Sequence, residues 1–445
     1  MRVGPTAAAT TTLVVGLNPA LQKRIVLPAP LCPGQVHRVA EAPQWGMGGK
    51  GQDVICTLHH LQFAKAGRSA TRIMQFLGSD AAGDVLLDQL KPMVVGYNDD
   101  TTTTDADDAW VSSLTQRTVS PLRTCTSIVA PDTTTELVEP SGAVSKEEVH
   151  ALLHEKLPAV LQSSSSAGRI GAMAFMGSLP PNCPTDVYAQ IYQQVVTATA
   201  DVASEGCLTV VDSLVGLDAL LDVILETNQN DNNKDSNKVV LKVNVDEMCQ
   251  LTKTKKDDSE DAATTVSTAV QAFYKQHPAA QKALYAICLT NGAQPAYVAM
   301  SKKNDGDASS FSLTMVPVPN LSEQRNPHRD ASTPTTLYPI GAGDAVAAGT
   351  LAAWQVLERS ENNKDDDNND RSSMLLPPKL TEALWQHYSQ QQPQKPIVTA
   401  FAFGLACGSA SCWQTENSVV DIDDVAYLFS LQQPKEQGAQ TQQLA

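Results

Sequence analysis

The segment Pro339–Asp344, with the sequence PIGAGD, places two glycines and a carboxylate just where a helical pattern begins. Glycine permits a tight turn whose backbone N–H groups point one way, and the positive end of the following helix attracts the same anion. A phosphoryl group in transit spreads negative charge over its oxygens, which such donors stabilise. The pattern predicts an anion hole at Gly341, Ala342 and Gly343, with Asp344 placed to accept the proton of an attacking hydroxyl. By itself, it also suits an ordinary strand-to-helix turn with Asp344 as the helix cap.

Short runs rich in β-branched residues alternate with helical patterns along the chain. The runs predict buried strands that begin near Thr12, Arg72, Cys207, Val239 and Tyr285. The helical patterns predict helices over residues 84–90, 185–197, 262–276 and 343–358. Such alternation indicates an α/β fold in which a mostly parallel central sheet is covered by helices on both faces.

Two regions, residues 23–45 and 117–139, break this alternation. Each contains short alternating stretches, such as RIVLP, VHRVAE and TSIVA, without a helix between them. We expect both regions to form a small β-sheet lid over the mouth of the main domain.

Composition and charge limit the class of protein. With 42% hydrophobic residues among 445, the chain can build one large α/β domain or two smaller ones. Its formal net charge of -16 argues against a nucleic-acid groove or an anionic membrane surface as partner, because both need a basic protein surface. No apolar run reaches the length of about 18 residues that a membrane-spanning helix needs. Residues 1–12 lack the apolar centre of a secretory signal peptide.

Nine cysteines are scattered along the chain, and no two form a C-x-x-C pair. An odd, dispersed set is typical of reduced, buried thiols, so we expect a cytoplasmic protein.

Polar, low-complexity stretches interrupt the globular pattern. They cover residues 98–109, 226–238, 301–310, 322–335 and 360–374, and a Gln-rich tail follows over 431–445. Segments of this composition bury too little apolar surface to offset the entropy of ordering, so we expect disordered surface loops and a flexible tail.

The PIGAGD segment is the last of several motifs that occur in a fixed order. LNPAL begins at Leu17, GGKG at Gly48, FLG at Phe76 (followed by Asp80 and Gly83), GSLPP at Gly177, VDS at Val211, KVNVDE at Lys242 and TNG at Thr290. In this order the chain resembles the PfkB-type, or ribokinase-like, carbohydrate kinases over residues 12–430. The resemblance implies a three-layer α/β/α sandwich with a β-sheet lid, and ATP-dependent phosphorylation of a sugar hydroxyl with Asp344 as general base.

The spacing of LNPA and GGKG looks most like 1-phosphofructokinase and tagatose-6-phosphate kinase. This similarity implies a hexose phosphate, such as fructose 1-phosphate, as substrate. It assigns contacts with the sugar or its phosphate to Asn18, Gln22, Gly48, Gly49, Lys50, Asp53 and Arg123. The arginine favours the phosphosugar, because a guanidinium can form two parallel hydrogen bonds with phosphate oxygens.

The same resemblance implies ATP and Mg²⁺ as cofactors. It assigns them to Lys242, Asn244, Glu247, Thr290, Gly292 and Asn417. Asn244 and Glu247 match the family residues that organise Mg²⁺ through water, and Asn417 would border the adenine. Mg²⁺ keeps several waters and relies on substrate phosphates, so a dense carboxylate cage is not required.

Four positions depart from the family pattern. Gln22 replaces an aspartate that usually holds sugar hydroxyls, and Asp53 replaces the asparagine that usually follows GGKG. Val243 replaces a proline, and Tyr338 replaces a smaller polar residue. Because the first two departures exchange a carboxylate and an amide, we hypothesise that Asp53 is now the acceptor-only group that meets the sugar diol.

Other motif matches favour simpler structural explanations. Residues 46–51 satisfy G-x-G-x-x-G, but no strand pattern precedes them and no acidic residue follows about 20 positions later. They are not a P-loop, since Gly51 follows Lys50 where Ser or Thr is needed. His150 and His154 share a helix face, yet no third ligand accompanies them, so a solvated face is favoured over a metal site.

Two functions remain open from the sequence. One is an active sugar or sugar-phosphate kinase, favoured by Asp344, the adjacent glycines and the set Lys242, Asn244 and Glu247. The other is a catalytically weak relative that binds a sugar phosphate and acts as a regulator or scaffold, for which Gln22 and Asp53 are the only support. A homodimer through the lid is compatible with either function, and the sequence does not decide it.

Overall fold

The computed structural model describes most of the chain. The described residues are 10–64, 69–94, 111–131, 133–162, 169–199, 206–230, 237–255, 261–301, 310–324, 337–362, 375–390 and 395–432. All statements below concern these ranges.

Within these ranges, the main sheet contains nine strands in the order β13-β12-β11-β10-β9-β8-β1-β4-β5. They are β1 (Thr10–Val15), β4 (Ser69–Gly78), β5 (Thr115–Thr118), β8 (Arg169–Met176), β9 (Leu208–Asp212), β10 (Lys238–Asn244), β11 (Ala286–Thr290), β12 (Ala296–Ser301) and β13 (Phe311–Val316). Neighbouring strands pair in parallel from β11 through β10, β9, β8, β1 and β4 to β5. Strands β12 and β13 continue the sheet beyond β11 as antiparallel strands. The predicted mostly parallel sheet is confirmed.

Helices cover both faces of this sheet. They are α1 (Lys50–His60), α2 (Ala81–Leu90), α3 (Lys146–His150), α4 (Leu157–Gln162), α5 (Val187–Thr199), α6 (Leu217–Asn230), α7 (Val245–Thr252), α8 (Ala262–Gln276), α9 (Ala280–Ala283), α10 (Ala342–Asn362), α11 (Pro378–Gln390), α12 (Pro396–Ser411) and α13 (Ile422–Ser430). A π-helical turn, Ala151–Lys156, joins α3 to α4. The four predicted helices correspond to α2, α5, α8 and α10.

The alternation of side chains along β1 explains the three layers. Val14 packs into the core beneath α1, α10 and α12, whereas Leu13 and Val15 pack into the core beneath α5, α6 and α8. Successive side chains of a strand point to opposite faces, so a strand covered on both faces buries neighbouring residues alike. This is why β1 appears in the sequence as a run of β-branched and apolar residues, TTTLVV, and not as an alternation of polar and apolar ones.

A second, four-stranded sheet has the order β3-β2-β6-β7. It consists of β2 (Ala20–Val26), β3 (Gln44–Gly48), β6 (Thr124–Val129) and β7 (Thr134–Val138). This is the small sheet expected from the two irregular regions, with two corrections. Residues 117–118 belong to β5 of the main sheet, where Arg117 pairs with Leu77. The stretch VHRVAE, residues 36–41, forms no strand, no strand of the described ranges pairs with it, and Val36 is 85% exposed.

Helix α10, which begins beside the PIGAGD turn, is held by very close packing against α12. A Cβ added to Gly404 would lie 2.2 Å from Oγ1 of Thr350 and 2.5 Å from the carbonyl oxygen of Val346. At Gly408 it would lie 2.8 Å from the carbonyl oxygen of Ala342, in the first residue of α10. Helix α12 therefore fixes the position of α10. Although α12 is buried on all sides, no helix of the described ranges is long and apolar enough to cross a membrane.

Most residues of the predicted disordered loops and tail lie outside the described ranges. They include residues 98–109, 302–309, 325–335, 363–374 and 433–445. Their predicted edges need correction. Residues 226–230 complete α6, Lys238 begins β10, and residues 360–362 complete α10, because neighbouring elements extend into the polar stretches. The nine cysteines all lie in the described ranges and form no disulfide.

Candidate active site

A cavity of about 530 Å³ opens between the carboxyl ends of the central strands and the second sheet. Its wall includes the predicted site residues Asn18, Gln22, Gly49, Lys50, Asp53, Arg123, Lys242, Glu247, Gly341, Asp344 and Asn417. Of the other predicted residues, Gly48, Ala342, Gly343, Asn244, Thr290 and Gly292 are outside this wall. The volume suits a small-molecule ligand, and the charged side chains of the wall suit a polar one.

The PIGAGD turn lies at this cavity, and its backbone conformation requires glycine at position 341. Gly341 has φ +81°, in the left-handed region, and a Cβ there would lie 2.4 Å from Oγ of Ser418. The Gly341 carbonyl accepts hydrogen bonds from the N–H groups of Asp344 and Ala345 and so begins α10. The Ala342 N–H donates to the Pro339 carbonyl at 3.2 Å. That amide is therefore engaged within the turn. The better candidates for anion donors are Gly341, in the cavity wall, and Gly343, outside the wall but adjacent to Asp344 in the chain.

Asp344 is the third residue of α10, and its side chain lines the cavity although the residue is only 8% exposed. Burial, followed by the charge of Asp212, raises the pKa of Asp344 to about 7; Lys50 and Lys242 oppose this rise. A carboxylate with a pKa near neutrality can take up a proton and release it again at neutral pH. Its position and its pKa suit a general base.

The charged centre of the cavity is Asp212, at the end of β9. Its Oδ1 lies 2.7 Å from Nζ of Lys50, and its Oδ2 lies 2.5 Å from Nζ of Lys242. The side chains of Asp212 and Lys242 are 4% and 7% exposed, so their ion pair lies in a poorly solvated region, whereas Lys50 reaches solvent. Burial alone would raise the pKa of Asp212, but Lys242 and Lys50 lower it below its ordinary value.

Lys50 begins α1, directly after Gly49, whose φ of +106° favours glycine. Burial alone would lower the pKa of Lys50, but Asp212 and then Asp344 raise it above its ordinary value. Its side chain is 40% exposed and faces the cavity. A lysine that stays charged here can attract an anionic ligand.

Asn18 and Arg123 form another part of the cavity wall. The side-chain amide of Asn18 donates to Oγ of Ser178 at 3.0 Å. The guanidinium of Arg123 donates from Nε to the Pro19 carbonyl at 3.3 Å and from Nη2 to the Asn18 carbonyl at 3.1 Å. These bonds fix the plane of the guanidinium and leave further N–H groups for a ligand.

Gln22 and Asp53, the exchanged pair, both line the cavity and are each 6% exposed. Nε2 of Gln22 donates to Oγ of Ser127 at 2.6 Å. Oδ1 of Asp53 is buried and has no hydrogen-bond partner among the described residues. Burial, followed by the charges of Asp344 and Glu136, raises the pKa of Asp53 well above its ordinary value. The surroundings thus favour a neutral acid, which can donate a hydrogen bond, over the acceptor-only carboxylate expected from the sequence.

Asn244 and Glu247 form a capping box at the start of α7. Oδ1 of Asn244 accepts from the Glu247 N–H at 2.7 Å, and Oε2 of Glu247 accepts from the Asn244 N–H at 3.0 Å. Glu247 still lines the cavity, so its carboxylate suits a hydrated Mg²⁺ that also binds substrate phosphates. The described residues contain no group of three or more His, Cys, Asp or Glu that could enclose a metal.

Thr290 ends β11 and pairs in register with Asn244 of β10. Gly292 follows in a turn with φ +57°. Both residues therefore lie at the same edge of the sheet as the cavity, beside Asn244.

The sequence did not assign a role to Asp212, although its VDS motif was part of the resemblance. The available signal was an acidic residue at the end of a buried strand, but its two lysine partners are distant in the sequence. Glu136 of β7, which contributes negative charge near Asp53, was also missed because nothing local distinguishes it.

Solved structures share this fold at low sequence identity. The phosphofructokinase-2 from Escherichia coli, in complex with fructose-6-phosphate, matches with a TM-score of 0.56 at 18% identity, over 96% of this chain and 100% of that chain. A possible 1-phosphofructokinase from Thermotoga maritima matches with a TM-score of 0.53 at 14% identity, over 94% and 97% of the two chains. A ribokinase from Thermotoga maritima matches with a TM-score of 0.50 at 12% identity, over 95% and 99%. The likeness confirms the predicted ribokinase-like fold.

No family model and no curated protein matches the chain by sequence. The fold assignment therefore depends on the structural likeness.

Proposed function

We propose that this protein is an ATP-dependent carbohydrate kinase that phosphorylates a hydroxyl of a small sugar. The main support is Asp344, a buried carboxylate with a pKa of about 7, which lines the cavity beside a glycine turn at a helix N-terminus. The sugar kinases that share the fold add to this support.

In the proposed reaction, Asp344 accepts the proton of the sugar hydroxyl as that oxygen attacks the γ-phosphorus of ATP. The bond from the γ-phosphorus to the β,γ-bridging oxygen breaks, and ADP leaves. The N–H groups of Gly341 and Gly343 and the positive end of α10 would stabilise the charge on the transferred group. Lys50 adds positive charge to the cavity, and Asp212 holds it in place.

The second sheet forms one wall of the cavity through Gln22, Cys125 and Glu136. We propose that it acts as the lid, and that it excludes water, which would otherwise compete as phosphoryl acceptor.

The proposed acceptor is a hexose phosphate such as fructose 1-phosphate. Arg123 and Lys50 line the cavity, and a doubly charged phosphate would gain more from them than a neutral sugar would. Lys242, Thr290, Gly292 and Asn417 are the proposed contacts with ATP. Asn244 and Glu247 would hold Mg²⁺ through water, and the ion would neutralise charge on the phosphates.

The proposal can be tested by following ADP release over fructose 1-phosphate, fructose 6-phosphate, tagatose 6-phosphate, fructose and ribose. We expect Asp344→Asn and Asp344→Ala to lower kcat by about 100-fold or more with nucleotide binding largely retained. Asp218→Asn, at a carboxylate that is 78% exposed, is the matched control. Equal ADP release by wild type and Asp344→Asn with every sugar would contradict the proposal and favour the catalytically weak, sugar-phosphate-binding relative.

We also propose a homodimer formed through the lid. Val26, Trp45 and Leu137 of this sheet are 43%, 51% and 56% exposed, and β7 is an edge strand. Sedimentation of the wild type against Leu137→Glu tests this, since a charge in an apolar contact should shift the population to monomer. A wild type that sediments as a monomer would exclude the dimer.

A further inference from the structure

Arg24 is a buried cation that the proposed chemistry does not use. It lies on β2, two residues after Gln22, and side chains two apart on a strand point to the same face. Both residues are 6% exposed. Gln22 lines the cavity. Arg24, the next residue on the same face of β2, points to a different part of the protein.

Arg24 contacts the residues that hold the PIGAGD turn in place. Nη2 of Arg24 donates to Oδ1 of Asn417 at 3.0 Å, and the guanidinium lies over the ring of Tyr338, 5.5 Å from its centroid. Tyr338 precedes Gly341 by three residues. Arg24 thus contacts the turn's own segment and a second segment beside it.

The segment Asn417–Ser418 in turn holds Gly341. Oγ of Ser418 donates to the Gly341 carbonyl at 2.9 Å, and a Cβ on Gly341 would lie 3.2 Å from Cβ of Asn417. Oγ1 of Thr57, on α1, donates to the Ser418 carbonyl at 2.7 Å. A shift of Asn417 would therefore be transmitted to the turn that carries Asp344.

Burial of the Arg24 guanidinium in this place is unfavourable for stability. Its Nε is buried and has no hydrogen-bond partner among the described residues. Burial lowers the pKa of Arg24, and the nearby Tyr338 and Glu416 partly offset this. An arginine remains charged under such conditions, and a buried, half-satisfied cation is unfavourable for stability.

We propose that Arg24 is a positioning residue that couples the second sheet to the anion-binding turn, so that the strand which presents Gln22 to the sugar also sets the position of Gly341 and Asp344. The kinetic part of this proposal rests on the proposed kinase function. The structural part, that Arg24 orders residues 338–344 through Asn417 and the Tyr338 ring, does not.

The structural part is tested by amide hydrogen exchange of wild type, Arg24→Ala, Arg24→Lys and Lys23→Ala. Lys23 is the matched control, since it lies on the same strand but contacts Trp45. We expect residues 338–344 and 417–418 to exchange faster in Arg24→Ala, with partial recovery in added guanidinium ion. Arg24→Lys should recover less, because an ammonium lacks the planar fork. Exchange in Arg24→Ala equal to that of wild type overturns the proposal.

The kinetic part uses ATP and whichever sugar of the panel turns over fastest. In Arg24→Ala we expect kcat to fall by on the order of 10-fold to 100-fold, as for a misplaced reacting group, with the sugar KM changed much less. Guanidinium ion should restore part of the rate, and Lys23→Ala should match wild type. If Arg24 only stabilised the fold in general, guanidinium ion would not restore the rate of Arg24→Ala. The absence of such rescue, or a normal kcat in Arg24→Ala, would overturn the coupling. If wild type phosphorylates no sugar, the proposed function fails, while the exchange experiment still decides the role of Arg24.

Discussion

Asp212 and Asp344 are two buried carboxylates in the wall of one cavity, and they differ in their partners. Asp212 bonds to Lys50 and Lys242. Asp344 has no such ion pair among the described residues. As a result, the lysines lower the pKa of Asp212, while burial and the charge of Asp212 raise that of Asp344. The lysines thus favour the charged form of Asp212, whereas a pKa near neutrality suits Asp344 to the proton exchange that we propose.

The pH dependence of kcat should report Asp344. A general base works in its deprotonated form, so a pKa raised to about 7 predicts a rate that increases with pH through neutrality and then levels off. Steady-state rates at saturating ATP and sugar between about pH 5.5 and 8.5 measure this. A profile that is flat across neutrality would show that Asp344 is not the titrating base.

Asp212→Asn should destabilise the protein more than an ordinary surface substitution. It leaves Lys242, whose side chain is 7% exposed, without a charged partner. Breaking a buried pair in this way typically costs about 3–5 kcal/mol in the free energy of unfolding. Urea unfolding measures the change.

Asp218→Asn is the control for this substitution, because it removes an ion pair with His277 in which Asp218 is 78% exposed. Its effect should stay within about 1 kcal/mol. Equal losses in the two variants would mean that the lysines do not depend on Asp212.

The substitution Asp53→Asn distinguishes whether the carboxyl of Asp53 binds the sugar as a neutral acid or as a charged acceptor. If Asp53 is a neutral acid, as its burial indicates, asparagine keeps one donor and one acceptor, and the sugar KM should change by less than about 3-fold near pH 7. Asp53→Leu, which removes both, should raise KM by about 10-fold or more.

The charged-acceptor hypothesis predicts a different result. Under it, Asp53→Asn would be nearly as damaging as Asp53→Leu, because the amide cannot replace a charge. Sugar KM values of the two variants, compared at one pH, distinguish the states.

Gly404→Ala should destabilise the packing that fixes α10. The new Cβ would meet Oγ1 of Thr350 at 2.2 Å and the Val346 carbonyl at 2.5 Å. Overpacking of a tight core costs about 1–3 kcal/mol. Gly46→Ala, where a Cβ would meet nothing within 4 Å, is the control for thermal unfolding. A Tm for Gly404→Ala no lower than that of the control would show that the helices can separate without cost.

The sequence by itself determined the fold class, and it singled out Asp344 as the candidate general base. Short runs rich in β-branched residues, such as that of β1, predict buried strands, and glycine followed by Asp344 at a helix start predicts the turn. These features are local, because side-chain alternation, helix capping and glycine conformation depend on neighbouring residues. The loop predicted over residues 226–238 was wrong at residues 226–230, which are helical, and the stretch VHRVAE, expected in the lid sheet, forms no strand. Packing against other elements decides whether such stretches are ordered, and the local sequence does not show it.

Tertiary structure alone decided the charges of the site. Lys50 meets Asp212 across 162 positions, and Arg24 meets Asn417 across 393. Burial of Asp53, which favours its proton, depends on every element around the cavity. The sequence supplies each ionisable group, but its state follows from the distance to other charges and from the exclusion of water, and only the folded chain sets these.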